Sequence, residues 1–182
     1  MWKKIIVGLL IFSLVVVTAL GFAVYLAPTD YSVQRDVTVN KSPEEVFAYV
    51  KILKNQNEWG PWFKKEPTMN QQFSGTDGQP GFVASWKGQN PETGEGEQEI
   101  KKVVEGKQFD TELRFKKPFE ATANSSIKTE PTGEGQTKVT WAMNGSVPRP
   151  MNVLLLVMNM DKAVGKDFEE GLATLKSKLE GK

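Results

Sequence analysis

Residues Ser42 to Trp62, SPEEVFAYVKILKNQNEWGPW, constrain the fold more than any other stretch of the chain. Ser42 can accept from the exposed amides of a first helical turn, and Pro43 sits where a missing N–H costs nothing. Glu45, three residues after the cap, completes a capping box. Val46, Phe47 and Val50 then form the apolar face of a short helix. That helix must stop before Asn55-Gln56-Asn57, and Trp59-Gly60-Pro61-Trp62 places two large amphipathic rings around a Gly-Pro break.

On either side of this block the hydrophobic period is two rather than 3.6. Tyr31, Val33, Arg35, Val37 and Val39 alternate with polar neighbours, with Arg35 the one basic member of the series, and predict a half-buried strand. Six more short strands are expected near Gln71–Ser74, Phe82–Lys87, Glu95–Val104, Gln108–Lys116, Ala121–Glu130 and Thr137–Ser146. Turn signals at Thr76-Asp77-Gly78, Asn90-Pro91, Glu105-Gly106, Lys117-Pro118 and Pro131-Thr132-Gly133 separate them and are short enough for hairpins, so the sheet should be an antiparallel meander. After Pro148 and Pro150 a helical period takes over through Val153, Leu156, Met160, Val164, Phe168, Leu172, Leu175 and Leu179, which predicts one long closing helix.

The Ser42–Trp62 block resembles the START-like superfamily that includes Bet v 1 proteins and bacterial polyketide cyclases (SRPBCC). Phe73-Ser74-Gly75, Ser85-Trp86-Lys87-Gly88, Gly94-Glu95-Gly96-Glu97, Leu113-Arg114-Phe115, Val139-Thr140-Trp141 and Gly165-Lys166-Asp167-Phe168-Glu169 are similar to pieces of the polyketide cyclase branch, in the same order. The resemblance runs from about Tyr31 to Glu180. It implies an α+β helix-grip fold, in which a curved antiparallel sheet of about seven strands wraps around a long C-terminal helix, and many members hold an apolar ligand between the two.

Ahead of this domain, Ile5 to Leu26 is 22 residues without a charge. At about 1.5 Å per residue this reaches across a hydrocarbon core of roughly 30 Å. An uncleaved anchor over residues 1–29 and a domain over 30–182 is the expected division. The alternative is a cleaved signal peptide, for which Ala19-Leu20-Gly21 is the best small-x-small match. Lys3 and Lys4 precede the span, so the positive-inside rule puts the N-terminus in the cytoplasm and the domain outside the cell membrane.

Composition narrows the chemistry. The chain has 23 Lys plus Arg, 22 Asp plus Glu, no His and no Cys. A domain so close to neutrality has no general attraction for nucleic acid, and the commonest general base, thiol nucleophile and metal ligands are missing. No phosphate loop, His-Glu-x-x-His or Gly-x-Ser-x-Gly element occurs. No cofactor or metal is expected. Glu95, Glu97 and Glu99 share a strand face with Lys101 and Arg114 nearby, which reads as a solvated outer face rather than a calcium site. Tyr49, Asp161, Lys162 and Asp167 are the candidates for acid or base work, none with an identifiable partner, so an enzymatic role has no catalytic signature behind it.

The candidate ligand-lining residues follow from strand parity and from the aromatic and Met content. Phe82, Trp86, Phe115, Trp141 and Met143 should face the closing helix, with Trp59, Trp62 and Phe63 from the turn and Met151 and Met158 from the chain before that helix. Gln98, Thr111 and Ser125 share the inner parity and need partners, either a ligand or water, backbone and one another. Val153 to Met158 is apolar all round, which suits burial near a cavity or contact with the bilayer. The expected function is membrane-tethered binding of a small hydrophobic or amphipathic ligand. A cyclase or hydratase acting on an apolar substrate, and an envelope interaction module using the tryptophan turn, are the alternatives.

Overall fold

The computed structural model describes residues 2–181, which form two compact units, residues 2–30 with 147–159, and residues 31–146 with 160–181. In the first unit, helix α1 (Trp2–Leu26) has 25 residues and no buried side chain. It is long and apolar enough to cross a membrane by length and composition. The last carbonyls of any helix lack intrahelical donors. Here the 147–159 segment supplies them. Asn152 Nδ2 donates to the carbonyls of Val24 at 2.8 Å and Ala27 at 2.9 Å, and Arg149 donates to those of Val24 at 3.3 Å and Tyr25 at 3.1 Å. The Val147 amide donates to the Thr29 carbonyl at 2.7 Å.

This clamp corrects the expectation of one continuous closing helix from Val153. Residues Met151–Leu156 form a 3-10 helix, and the α-helix begins only at Met160. Asn152 is fully buried against the end of α1. The turn closes where the Val157 and Met158 amides both bond the Leu154 carbonyl. Val153 and Leu156 fit a helical period by spacing alone, and periodicity cannot detect a tertiary clamp.

The second unit is built on a seven-stranded sheet of β1 (Asp30–Val39), β2 (Asn70–Ser74), β3 (Val83–Lys87), β4 (Glu95–Val104), β5 (Gln108–Lys117), β6 (Ala121–Gly133) and β7 (Gln136–Ser146). The spatial order is β1-β7-β6-β5-β4-β3-β2, and each consecutive pair from β2 to β7 is an antiparallel hairpin. Strand β6 runs through the expected Pro131-Thr132-Gly133 turn, and a register shift there accommodates the proline. Between β1 and β2 lie α2 (Pro43–Val50), a 3-10 turn at Leu53–Asn55, α3 (Gln56–Trp59) and α4 (Pro61–Lys65). The capping box is present, with Ser42 Oγ accepting from the Glu45 amide and Glu45 accepting from the Ser42 amide. Helix α5 (Met160–Glu180) lays Phe168, Leu172 and Leu175 into one buried cluster with Phe82, Ile100, Phe109, Ala123, Ile127, Val139, Trp141 and Met143 of the sheet.

Arg35 explains its own exception to the β1 pattern. It points to the α5 side, where Gly165 leaves room for the guanidinium, since a Cβ there would collide with it. Asp161 one turn before that glycine accepts at 2.8 Å and Glu169 one turn after it at 2.6 Å. The hydrogen bonds from Arg35 hold the Asp161 carboxyl below its ordinary value.

On the convex face Arg114 bonds Glu97 at 2.6 Å, Glu99 at 2.7 Å and Glu112, while Lys116 and Lys101 reach Glu97 and Glu99. Hydrogen bonds from Lys116 and then Arg114 depress the Glu97 carboxyl, and those from Arg114 and then Lys101 depress Glu99. A carboxylate depressed in the folded state stabilises the fold above its unfolded value of 4.5 and loses that contribution as pH falls through the lower, folded value. The urea midpoint should therefore fall on acidification from pH 7 to about pH 3, and Arg114→Gln should make that fall shallower. An equal decline in both proteins would show that the stripe contributes nothing.

Candidate ligand cleft

The space expected between sheet and closing helix is occupied by aromatic side chains. Trp141 stacks on Phe168 at 3.9 Å between ring centroids and 6° between planes, and Trp59 and Trp62 meet Trp141 edge-on at 5.1 Å and 5.9 Å. The polar members of the layer are satisfied from within. Trp141 Nε1 donates to Ser125 Oγ at 3.1 Å, Ser125 donates to the Ala142 carbonyl at 2.9 Å, and Gln98 donates to Thr111 Oγ1 at 3.0 Å. Trp59 is fully buried, and its indole N–H has no acceptor among the described residues.

To one side of this plug lies a small cleft of about 30 Å³ between α3–α4 and the β2–β4 end of the sheet. Leu53, Phe63, Phe73, Ala84 and Trp86 form its apolar walls, with Gln56, Asn57, Gln71, Ser85 and Gln98 as the polar groups. No ionisable side chain lines it. The registers Gln71↔Trp86 and Phe73↔Ala84, then Ala84↔Gln98, place these residues on one face by strand alternation. Phe73 stacks on Phe82 at 6.1 Å, and Phe115 meets Trp86 edge-on at 6.0 Å.

Two carboxylates fix the frame around the cleft. Asp77, in the β2–β3 loop, accepts from the amides of Leu53 at 2.8 Å and Lys54 at 3.1 Å. Glu66, just after α4, accepts from the amides of Gln89 at 2.7 Å and Asn90 at 3.1 Å and from the Thr93 hydroxyl. These bonds, led by the Gln89 amide, lower the Glu66 carboxyl. Across the front, by contrast, α3 meets β2 through one reciprocal amide pair: Asn57 Nδ2 donates to Gln71 Oε1 at 2.8 Å, and Gln71 Nε2 returns a bond at 3.3 Å.

Of the residues named from sequence, Phe63, Trp86 and Gln98 line the cleft directly. Phe82 and Phe115 back it, Thr111 holds Gln98, and Trp59, Trp62, Ser125, Trp141 and Met143 belong to the plug and the core around it. Met151 and Met158 fall in the first unit and are exposed. Leu53, Gln56, Asn57, Gln71, Phe73, Ala84 and Ser85 were not named as lining. Ala84 shares the parity of Phe82 and Trp86, and the β2–β3 register sets Gln71 and Phe73 beside it.

The acid and base candidates acquire partners away from the cleft. Tyr49 donates to Glu58 at 3.1 Å, and Lys178 meets the same carboxylate at 2.6 Å. Burial, then the Glu58 contact, pushes the Tyr49 hydroxyl up. Asp167 pairs with Lys65 at 3.3 Å.

Residues 30–180 match the family described as polyketide cyclase / dehydrase and lipid transport. The chain belongs to that family. Among solved structures, truncated norcoclaurine synthase from Thalictrum flavum is similar at 12% identity and a TM-score of 0.60, over 85% of this chain and 95% of that one. Ara h 8.0201 is similar at 14% identity and a TM-score of 0.57, over 84% and 99%. The Aha1 dimer from Colwellia psychrerythraea is similar at 14% and 0.57, over 82% and 96%. At such identities the likeness is one of fold, and it establishes the helix grip for this member of the polyketide cyclase / dehydrase and lipid transport family. No curated protein matches the chain.

Proposed function

We propose that this family member is a membrane-tethered binder of a small hydrophobic or amphipathic molecule, with the cleft beneath α3–α4 as the entrance. The observation that carries the proposal is the mostly apolar cleft of about 30 Å³ across which Asn57 and Gln71 form an exposed reciprocal amide pair. Ligand sites are typically apolar with a few polar groups and span roughly 300–1,000 Å³. Binding therefore needs the cleft to widen at the Asn57–Gln71 contact while Trp59 and Trp62 stay anchored on Trp141. That exposed amide pair resists opening only weakly, since each bond contributes only about 0.5–1.5 kcal/mol net. The burial of apolar ligand area, at roughly 25 cal/mol per Å², competes against it. Anchoring by α1, with Lys3 and Lys4 directing the N-terminus to the cytoplasm, keeps the domain beside molecules that partition into the bilayer.

The uncharged lining favours binding over acid–base chemistry at this site, and the complete burial of Trp59 removes half of the tryptophan turn from any docking surface. A photoreactive fatty-acid analogue offered to the full chain in nanodiscs should crosslink to peptides carrying Phe63, Phe73 or Trp86. Ala84→Leu, which adds carbon to the wall of the cleft, should weaken capture about tenfold, equivalent to ~1.4 kcal/mol, while leaving the chain folded. Crosslinks confined to Trp2–Leu26, unchanged by Ala84→Leu, would defeat the proposal.

A further inference from the structure

The geometry points to a second membrane-contacting element, the Met151–Met158 segment, which we infer inserts into the interface of the leaflet where α1 ends. This rests on the reading of α1 as a membrane span. Three observations within the first unit converge on it.

The segment exposes a contiguous set of apolar side chains: Val157 is 82% exposed, Leu156 58%, Met158 51% and Met151 46%, with Leu154 next to them. An exposed group of this kind on a folded protein marks a contact surface.

The position of the set along the span is fixed. Buried Asn152 bonds the carbonyls of Val24 and Ala27, and Arg149 bonds those of Val24 and Tyr25. A helix of 25 residues rises about 37 Å, slightly more than the roughly 30 Å hydrocarbon core, so its last turn lies at the boundary between acyl chains and headgroups. Residues hydrogen-bonded to that turn share its depth to within a few ångströms. Apolar faces of interfacial elements bury about 5–10 Å into this same zone.

The charge pattern fits a lipid surface. Arg149 is the only charged residue from Val147 to Asn159. Its guanidinium lies 5.9 Å from the centroid of the Tyr25 ring, so a cation and an amphipathic ring stand together at headgroup level. A bilayer of anionic and zwitterionic lipids is therefore the occupant this surface suits. Its consequence is a two-point attachment, in which the span holds the protein in the membrane and the Met151–Met158 foot prevents the end of the span from rising away from the leaflet.

The absence of cysteine makes the test direct. Full-length Leu14→Cys, Leu156→Cys and Val157→Cys proteins, each carrying an environment-sensitive fluorophore, are reconstituted in phosphatidylcholine–phosphatidylglycerol vesicles. Quenching is read with lipids brominated near the headgroup or near the acyl terminus, and with aqueous iodide. The label at 14 should be quenched by the deep bromines. Labels at 156 and 157 should be quenched severalfold more by the shallow bromines than by the deep ones, and should be shielded from iodide. If 156 and 157 respond to iodide and not to bromolipid while 14 is quenched deeply, the foot is refuted and the span stands. Loss of lipid quenching at 14 as well would remove the span and the inference together. Shielding from iodide without lipid quenching, accompanied by a disulfide-linked dimer of the unlabelled Val157→Cys protein, would assign the surface to a second copy and overturn the inference.

Discussion

Replacing Trp141 by alanine is expected to cost about 3–5 kcal/mol of folding stability. Trp141 is 5% exposed and is the central ring of the plug, stacked on Phe168 from α5 and met edge-on by Trp59 and Trp62, with Trp62 against Phe168 as the one ring contact it does not share. Alanine removes these contacts together with the donor to Ser125, while Ser125 keeps its bond to the Ala142 carbonyl. The loss is therefore a cavity and not an orphaned hydroxyl. A domain typically has about 5–15 kcal/mol in total, so a large fraction is at stake. Urea unfolding followed by near-UV circular dichroism measures it. The void would be walled mainly by aromatic carbon, and such voids stay dry and take small aromatic molecules. Added indole should restore part of the lost stability. A cost below about 1 kcal/mol, with no response to indole, would mean that the neighbouring rings collapse into the gap and that the plug is loosely packed.

Gly96→Val is expected to have the second largest effect, and it acts on the cleft as well as on the fold. A Cβ at position 96 would stand 2.6 Å from Trp86 Cζ2 and 2.7 Å from the Arg114 carbonyl oxygen. The first neighbour is a side chain, but the second is backbone of the adjacent strand and cannot turn aside. Trp86 is itself held by its Nε1 bond to the Thr93 carbonyl at 2.9 Å. Valine must displace the ring, break that bond and spread β4 from β5. Overpacking of this kind costs about 1–3 kcal/mol, equivalent to a drop in Tm of roughly 2–12 °C for a chain of this size. Because Trp86 is a wall of the cleft, capture of the photoreactive fatty acid should fall in parallel. Unchanged Tm with unchanged capture would show that the strands yield freely at Gly96 and that Trp86 does not govern entry.

The strands, the capped helix and the identity of the concave face were legible from the residues themselves. Alternation at Phe82, Ala84 and Trp86 and at Phe109, Thr111, Leu113 and Phe115 survives in the structure, because a strand has only two faces and one must meet the core. That the capped helix stops before Asn55-Gln56-Asn57 was legible, and α2 does end at Val50, but that Gln56 and Asn57 open a further helix was not. That Asn57 would then latch to Gln71 was not, since the pair is 14 residues apart and depends on how α3 lies against β2. Arg35 was visible as an oddity in a strand pattern. Its meaning required Gly165, 130 positions away, to leave space between Asp161 and Glu169.

The chain's own chemistry thus determined the class of the protein. Local propensity, periods of two and 3.6, a capping box and an apolar run of membrane length are properties of neighbouring residues, and they specify an α+β helix grip behind a hydrophobic helix. Tertiary structure alone decided where space remains and where the closing helix starts. Whether aromatic side chains line a cavity or fill it depends on their mutual packing, and the stack of Trp141 on Phe168 with Trp59 and Trp62 at its edges fills the interior and leaves the cleft to Phe63, Phe73 and Trp86. Likewise Val153 and Leu156 carry a helical spacing, yet Asn152 draws them to the end of α1, because hydrogen bonds to orphaned helix carbonyls more than a hundred residues away outweigh a weak local preference.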